Sequence, residues 1–318
     1  MKMKKLITIC AVVTMVLAVS GVAQADTFGT GLNEFDIDFV SISGDTNPTS
    51  GYGIVDGDYR MGTFEITNDQ YAKFAAELGV PVTGDPSSAY DLSATYTGAS
   101  VPTNNMSWHE AAQMVNYLNT STGHHAAYNF TGTQGTSGYA LDVWSAAEAD
   151  GGTNLFRHKD AFYFMPTEDE WVKAGYWNGT SLQTYATKAG DTLVQGDGVS
   201  GTGWNYYDGG YATDPSGPWD VGSGSEELNG TFDMMGNVWE WMESSYYADD
   251  YGTGSGRGLR GGSCHGDGSV LASSSRLLYY PYNESPIVGF RVASEVPEPA
   301  TMSLLAMGAV ALIRRRRQ

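Results

Sequence analysis

The chain has 318 residues, with 17 Lys and Arg against 36 Asp and Glu, a formal net charge of −19. Acidity of this order repels nucleic acid and anionic lipid and keeps a protein in solution, which excludes nucleic-acid binding and leaves divalent cations as suitable partners. Only two cysteines occur, Cys10 and Cys264, too few for a disulfide framework.

In chain order, Lys2, Lys4 and Lys5 precede an apolar run from Leu6 to Val19, and Ala23-Gln24-Ala25 follows. This is the three-part pattern of a signal peptide over residues 1–25, cleaved before Asp26. The alternative, a transmembrane helix, asks a short run to cross about 30 Å of hydrocarbon at 1.5 Å per residue. An N-terminal segment, 26–50, leads into one large domain, 51–294. Three helices are predicted there, each opening on a capping box: Thr67 to Gln70, Ser107 to Glu110 and Thr167 to Glu170. Tyr71, Phe74, Ala75 and Leu78 give the first an apolar face. Trp108, Ala111, Ala112, Val115 and Leu118 do so for the second, and Trp171 and Ala174 begin the third. Between them the chain reads as short strands and Gly/Ser/Thr-rich loops, an α+β pattern without the alternation of a parallel sheet.

The C-terminus closes with Val296-Pro297-Glu298-Pro299-Ala300, an apolar stretch from Thr301 to Ile313, and Arg314 to Arg317. The arginines would hold the end of the stretch on the cytoplasmic side during a transient inner-membrane anchoring. This tail, 296–318, resembles the PEP-CTERM sorting signal. The resemblance implies exosortase-type sorting machinery as a partner, a setting among exopolysaccharide, and export to the envelope, surface or extracellular matrix. Without leader and tail the chain loses seven basic residues and one acid, leaving a body near −25 with Cys264 as its single thiol.

Six ordered motifs identify a second resemblance. Met61 to Tyr71 (MGTFEITNDQY), Pro102 with Ser107 to Ala111 (SWHEA), Met165 to Trp171 (MPTEDEW), Asp233 to Trp241 (DMMGNVWEW), Arg260 to Ser263 (RGGS) and Gly289 to Arg291 (GFR) are similar to the formylglycine-generating enzyme, or sulfatase-modifying factor, family. The family implies a C-type-lectin-like fold, loop-rich with few helices, and structural calcium. Asn237, Val238 and Glu240 lie at a calcium-binding segment of the family, and oxygen ligands of this kind suit Ca²⁺. The other reading is that they satisfy backbone groups while Trp239 and Trp241 fill core. Asn205 matches a second calcium-binding asparagine, with Asp208 and Asp214 as partners; a plain Asn/Asp-rich turn is the alternative.

The family oxidises a substrate cysteine to formylglycine with two active-site cysteines that bind copper(I), and soft thiolates select that ion. Cys264 stands near the first of these positions as the candidate catalytic residue, and residues 266–270 contain no second cysteine. A single thiol without a partner reads rather as a small buried hydrophobe. His265 follows it and, in an extended segment, points to the opposite face. Phe164 stands where many relatives carry arginine, so an internal ion pair is expected to differ there. The expected function is a calcium-stabilised binding or accessory module for exopolysaccharide or an exported protein. The alternative is a formylglycine-type oxidase acting on a sulfatase cysteine. The three-tyrosine segment from Tyr279 to Pro286 is the candidate stacking platform, its other role being packing under the final strand.

Overall fold

The structure, a computed structural model, describes residues 24–90 and 94–297. The expected leader up to residue 23 and the tail from residue 298 lie outside them. In chain order, β1 (Gln24–Phe28), β2 (Phe35–Ile42) and β3 (Tyr59–Gly62) precede α1 (Asn68–Leu78) and α2 (Trp108–Ser121). Short strands β4 (Phe130–Thr131), β5 (Ala140–Leu141), β6 (Ala149–Asp150), β7 (Asn154–His158) and β8 (Tyr163–Phe164) lead to α3 (Glu168–Tyr176). Loops fill 177–238. β9 (Trp239–Ser245), β10 (Arg257–Arg260), β11 (Leu277–Tyr279), β12 (Val288–Gly289) and β13 (Ala293–Glu295) complete the domain. This is the expected α+β, loop-rich architecture.

All three capping boxes form. The Thr67, Ser107 and Thr167 side chains accept from the Gln70, Glu110 and Glu170 amides, and each N3 side chain reaches back to its cap. Such a cap contributes about 1 kcal/mol. Gly79 ends α1 with φ of 69°, a left-handed C-cap that a β-carbon would oppose. Eleven of the 14 residues of α2 are buried, so its polar side chains need protein partners. Asn116 donates to the Tyr128 carbonyl; Asn119 donates to that of Tyr163 and accepts from the Phe162 and Tyr163 amides.

One sheet runs β1-β2-β3-β13-β8 and a second runs β11-β10-β9-β12. In β2 the alternation Phe35-Asp36-Ile37-Asp38-Phe39 buries the apolar residues and exposes the acids. Segment 26–50 therefore supplies two strands of the first sheet. Ala25 and Asp26, the expected cleavage junction, both lie within β1, opposite Asp38 and Ile37. Arg60, 2% exposed, ties β1 to β13 across this sheet. It binds both carboxylate oxygens of Asp26 at 3.1 and 2.5 Å, the Ser294 hydroxyl at 2.9 Å and the Glu295 carbonyl at 3.2 Å. The start of β1 and the end of β13 lie at the same end of the sheet, since Ile42 pairs with Tyr59 and Tyr59 with Glu295.

Candidate functional site

The Asp233 to Trp241 segment passes under the loops into β9 and holds one of the buried charge clusters of the domain. Glu240 and Arg291 are both fully buried. Arg291 Nη2 meets Glu240 Oε1 and Arg291 Nε meets Oε2, each at 2.7 Å, a bidentate pair. Trp171 Nε1 donates to the same Oε2 at 2.7 Å. The remaining donors of Arg291 reach the Gly62 and Phe232 carbonyls at 2.9 Å, so one guanidinium binds β3, β9 and the 232 loop together.

Asn237 adopts φ of 57°, the left-handed region that Asn tolerates better than most residues. Its Oδ1 accepts from the Trp219 amide at 2.7 Å and from Asn205 Nδ2 at 3.1 Å, and its Nδ2 donates to Glu65 Oε1 at 3.1 Å. Its backbone accepts the Cys264 amide and donates to the Asn205 carbonyl, each at 2.9 Å. The structure thus brings Asn205 and Asn237 together, with Val238 buried beside them. Asp208 and Asp214 lie exposed on the outside of the 203–222 loop. Protein donors already engage the side-chain oxygens of Asn237 and Glu240. A calcium ion bound through them would have to displace Arg291, Trp171 and the Trp219 amide. As arranged here, these side chains do not fit that ion. Among the described residues no group of three or more His, Cys, Asp and Glu converges as a metal site.

Three further carboxylates surround the pair, all buried: Glu65, Glu227 and Asp233. Burial pushes Glu65 well above the usual carboxylate range, with Asp233 adding to the rise and Arg291 opposing it. Burial likewise pushes Glu227 up to about 8 and Asp233 up to about 6. Glu65 Oε2 has no hydrogen-bond partner. Sequence reasoning missed these acids. The available signal was position, since Asp233 opens the nine-residue motif and Glu65 sits inside the first.

Cys264 is 2% exposed and burial pushes its thiol up to about 12. His265 faces solvent, edge-on to Tyr211 at 5.3 Å, so the two side chains do point apart. At pH 8 a thiol raised in this way stays protonated, and the thiolate is the reactive form. Alkylation of Cys264 by iodoacetamide is therefore expected to run at least ~100-fold slower in the folded protein than in guanidinium. Equal rates would show the thiol to be accessible.

Phe164 carries the Arg157 guanidinium on its ring face, 3.6 Å from the centroid. Arg157 binds both oxygens of Glu170 at 2.8 Å and both of Glu243 at 3.0 and 3.1 Å. The arginine missing from the motif is thus answered by one on β7. In the 279–286 segment Tyr279 packs against Trp241, while Tyr280 and Tyr282 stay exposed.

Comparison with known proteins agrees with this architecture. Residues 295–317 match the PEP-CTERM protein-sorting motif, which marks the chain for export to the cell envelope by the matching sorting machinery. Comparison with curated proteins returns no match. Among solved structures, a variable protein 1 from Treponema denticola is 18% identical with a TM-score of 0.58, covering 86% of this chain and 99% of its own. CarF is 22% identical with a TM-score of 0.58, covering 82% and 98%. PvdO from Pseudomonas aeruginosa is 15% identical with a TM-score of 0.52, covering 85% and 98%. At these identities the likeness is one of fold. Residues 12–296 match the sulfatase-modifying factor enzyme 1-like domain, and the chain belongs to that family.

Proposed function

We propose that this family member works as an exported binding or accessory module rather than as a formylglycine-generating oxidase. The observation that carries the reading is Cys264. Copper(I) oxidation needs two convergent thiolates, and the exported body has one thiol, buried and held protonated. A single protonated thiol with no second cysteine does not fit copper(I). What supports binding instead is a rigid, ion-paired body that holds tyrosine-bearing loops at its surface, among them Tyr207, Tyr211, Tyr280 and Tyr282. Tyrosine offers large contact area at low entropic cost. The partner is an exported protein or a matrix polymer.

The test is incubation of the purified body with a Cys-x-Pro-x-Arg peptide, copper and oxygen. No aldehyde product is expected. Turnover that disappears in Cys264→Ser would sink the proposal. Structural calcium enters this reading from the resemblance alone. Because Arg291 and the Trp219 amide occupy the oxygens in question, EDTA is expected to shift the melting temperature by less than ~2 °C. A fall of several degrees, reversed by added Ca²⁺, would assign the ion a structural role.

A further inference from the structure

The loop between β11 and β12 is built to hold two aromatic rings in solvent. Tyr280 is 44% and Tyr282 39% exposed. Their rings lie 5.6 Å apart at 13°, a stepped parallel pair. Exposed apolar rings are ordinarily free to reorient, but here the backbone beneath them is fixed. The buried Pro281 between them accepts the first amide of α2, from Trp108, at 3.1 Å. Asn283 donates to the Tyr280 carbonyl at 2.9 Å, and the Asn105 amide reaches Ser285 at 3.0 Å. Tyr279 anchors the near side through the Glu284 carbonyl and the Trp241 ring.

Beside this loop Asn105 is held at φ of 57°, a conformation that costs energy outside glycine. Its side-chain Nδ2 lies 3.5 Å from Glu284 Oε2, an amide–carboxylate couple next to the rings. Asn105 also borders a groove of about 420 Å³ walled by Ala72, Ala75, Val82 and Met106. Neither charged pairing nor core packing requires two parallel tyrosines to face water.

We propose that Tyr280 and Tyr282 form a stacking platform for the pyranose rings of a neutral polysaccharide, with Asn105 and Glu284 as the adjacent groups for its hydroxyls. A pyranose has one face of axial C–H bonds, apolar and slightly positive, which complements the electron-rich face of an aromatic ring. Paired amide and carboxylate groups suit vicinal hydroxyls as donor and acceptor. The body's charge near −25 selects against anionic polymers. A platform already rigid loses little freedom on binding, so weak individual contacts accumulate along a chain of sugars. The inference rests on the reading of this protein as a binding module.

The experiment is affinity electrophoresis of the exported protein in gels carrying galactomannan, cellulose ether or dextran, with alginate as the anionic control. Retardation by a neutral polymer and not by alginate is expected. Tyr280→Ala and Tyr282→Ala should each weaken it about tenfold, and the Phe variants less than ~3-fold. Near-UV circular dichroism of the tryptophans shows that each variant is folded. Free migration of the wild type in every neutral gel overturns the platform. Undiminished retardation of the folded double alanine variant also overturns it. So does a wild-type dimer that the double variant dissociates, since the rings would then cover a second copy. Peptide oxidation, measured separately, bears on the binding-module reading and leaves the gel result intact, so the two failures are distinguishable.

Discussion

Arg291→Met is expected to destabilise the domain by about 3–5 kcal/mol, because it leaves Glu240 buried without its counter-charge. That is a large share of the roughly 5–15 kcal/mol that holds a domain of this kind folded. The loss should depend on pH, with a sign fixed by the neighbouring acids. Glu227 and Asp233 are raised by burial to about 8 and about 6, above their unfolded values near 4. A raised acid binds its proton more tightly when folded. Its contribution to stability is present at low pH and is lost as pH rises through 6 and then 8. Arg291 opposes the rise at Glu65, Glu227 and Asp233, so removing it deepens the penalty for ionisation. Urea melts should show a smaller deficit at pH 5 than at pH 8. An equal deficit at both would mean that Arg291 acts through packing rather than charge.

Arg157→Met should cost a similar amount, about 3–5 kcal/mol, for a different reason. One guanidinium there serves two carboxylates, Glu170 at the cap of α3 and Glu243 in β9. Tyr128 and Asn154 also donate to Glu243, so it is not left wholly unsatisfied, but its charge is. Adding Glu243→Gln neutralises the stranded acid. The double variant is therefore expected to lose less than the sum of the single losses, with a coupling of at least ~1 kcal/mol. Additive losses would remove the claim that these residues act as one unit.

The helices were legible because their signals are local. Thr67 and Gln70, Ser107 and Glu110, and Thr167 and Glu170 are three residues apart, and nothing distant can alter that geometry. The strands at 24–42 carry a period-2 signal in the alternation from Phe35 to Phe39, but their pairing with β3 across the 26–50 boundary is not a local property of the sequence. What the order of residues could not show is who pairs with whom across the fold. Arg60 meets Ser294 across 234 positions and Arg291 meets Glu240 across 51. The same limit applies at the candidate site. Asn237 and Glu240 were identifiable as a motif, but whether their oxygens face an ion or a guanidinium depends on Arg291, Trp171 and Trp219. Cys264 was more tractable, because a missing second cysteine is visible without coordinates.

Arg60 has a consequence for engineering the molecule. Asp26 and Glu295 bind one guanidinium, although their strands lie three spacings, or about 14 Å, apart across the sheet. A body whose two ends meet in this way is closed in the topological sense. It could be spliced into a surface loop of a host protein by two short glycine-serine joints, or have its ends fused and be reopened at an exposed loop tip such as 252–255, without unpairing β1 or β13.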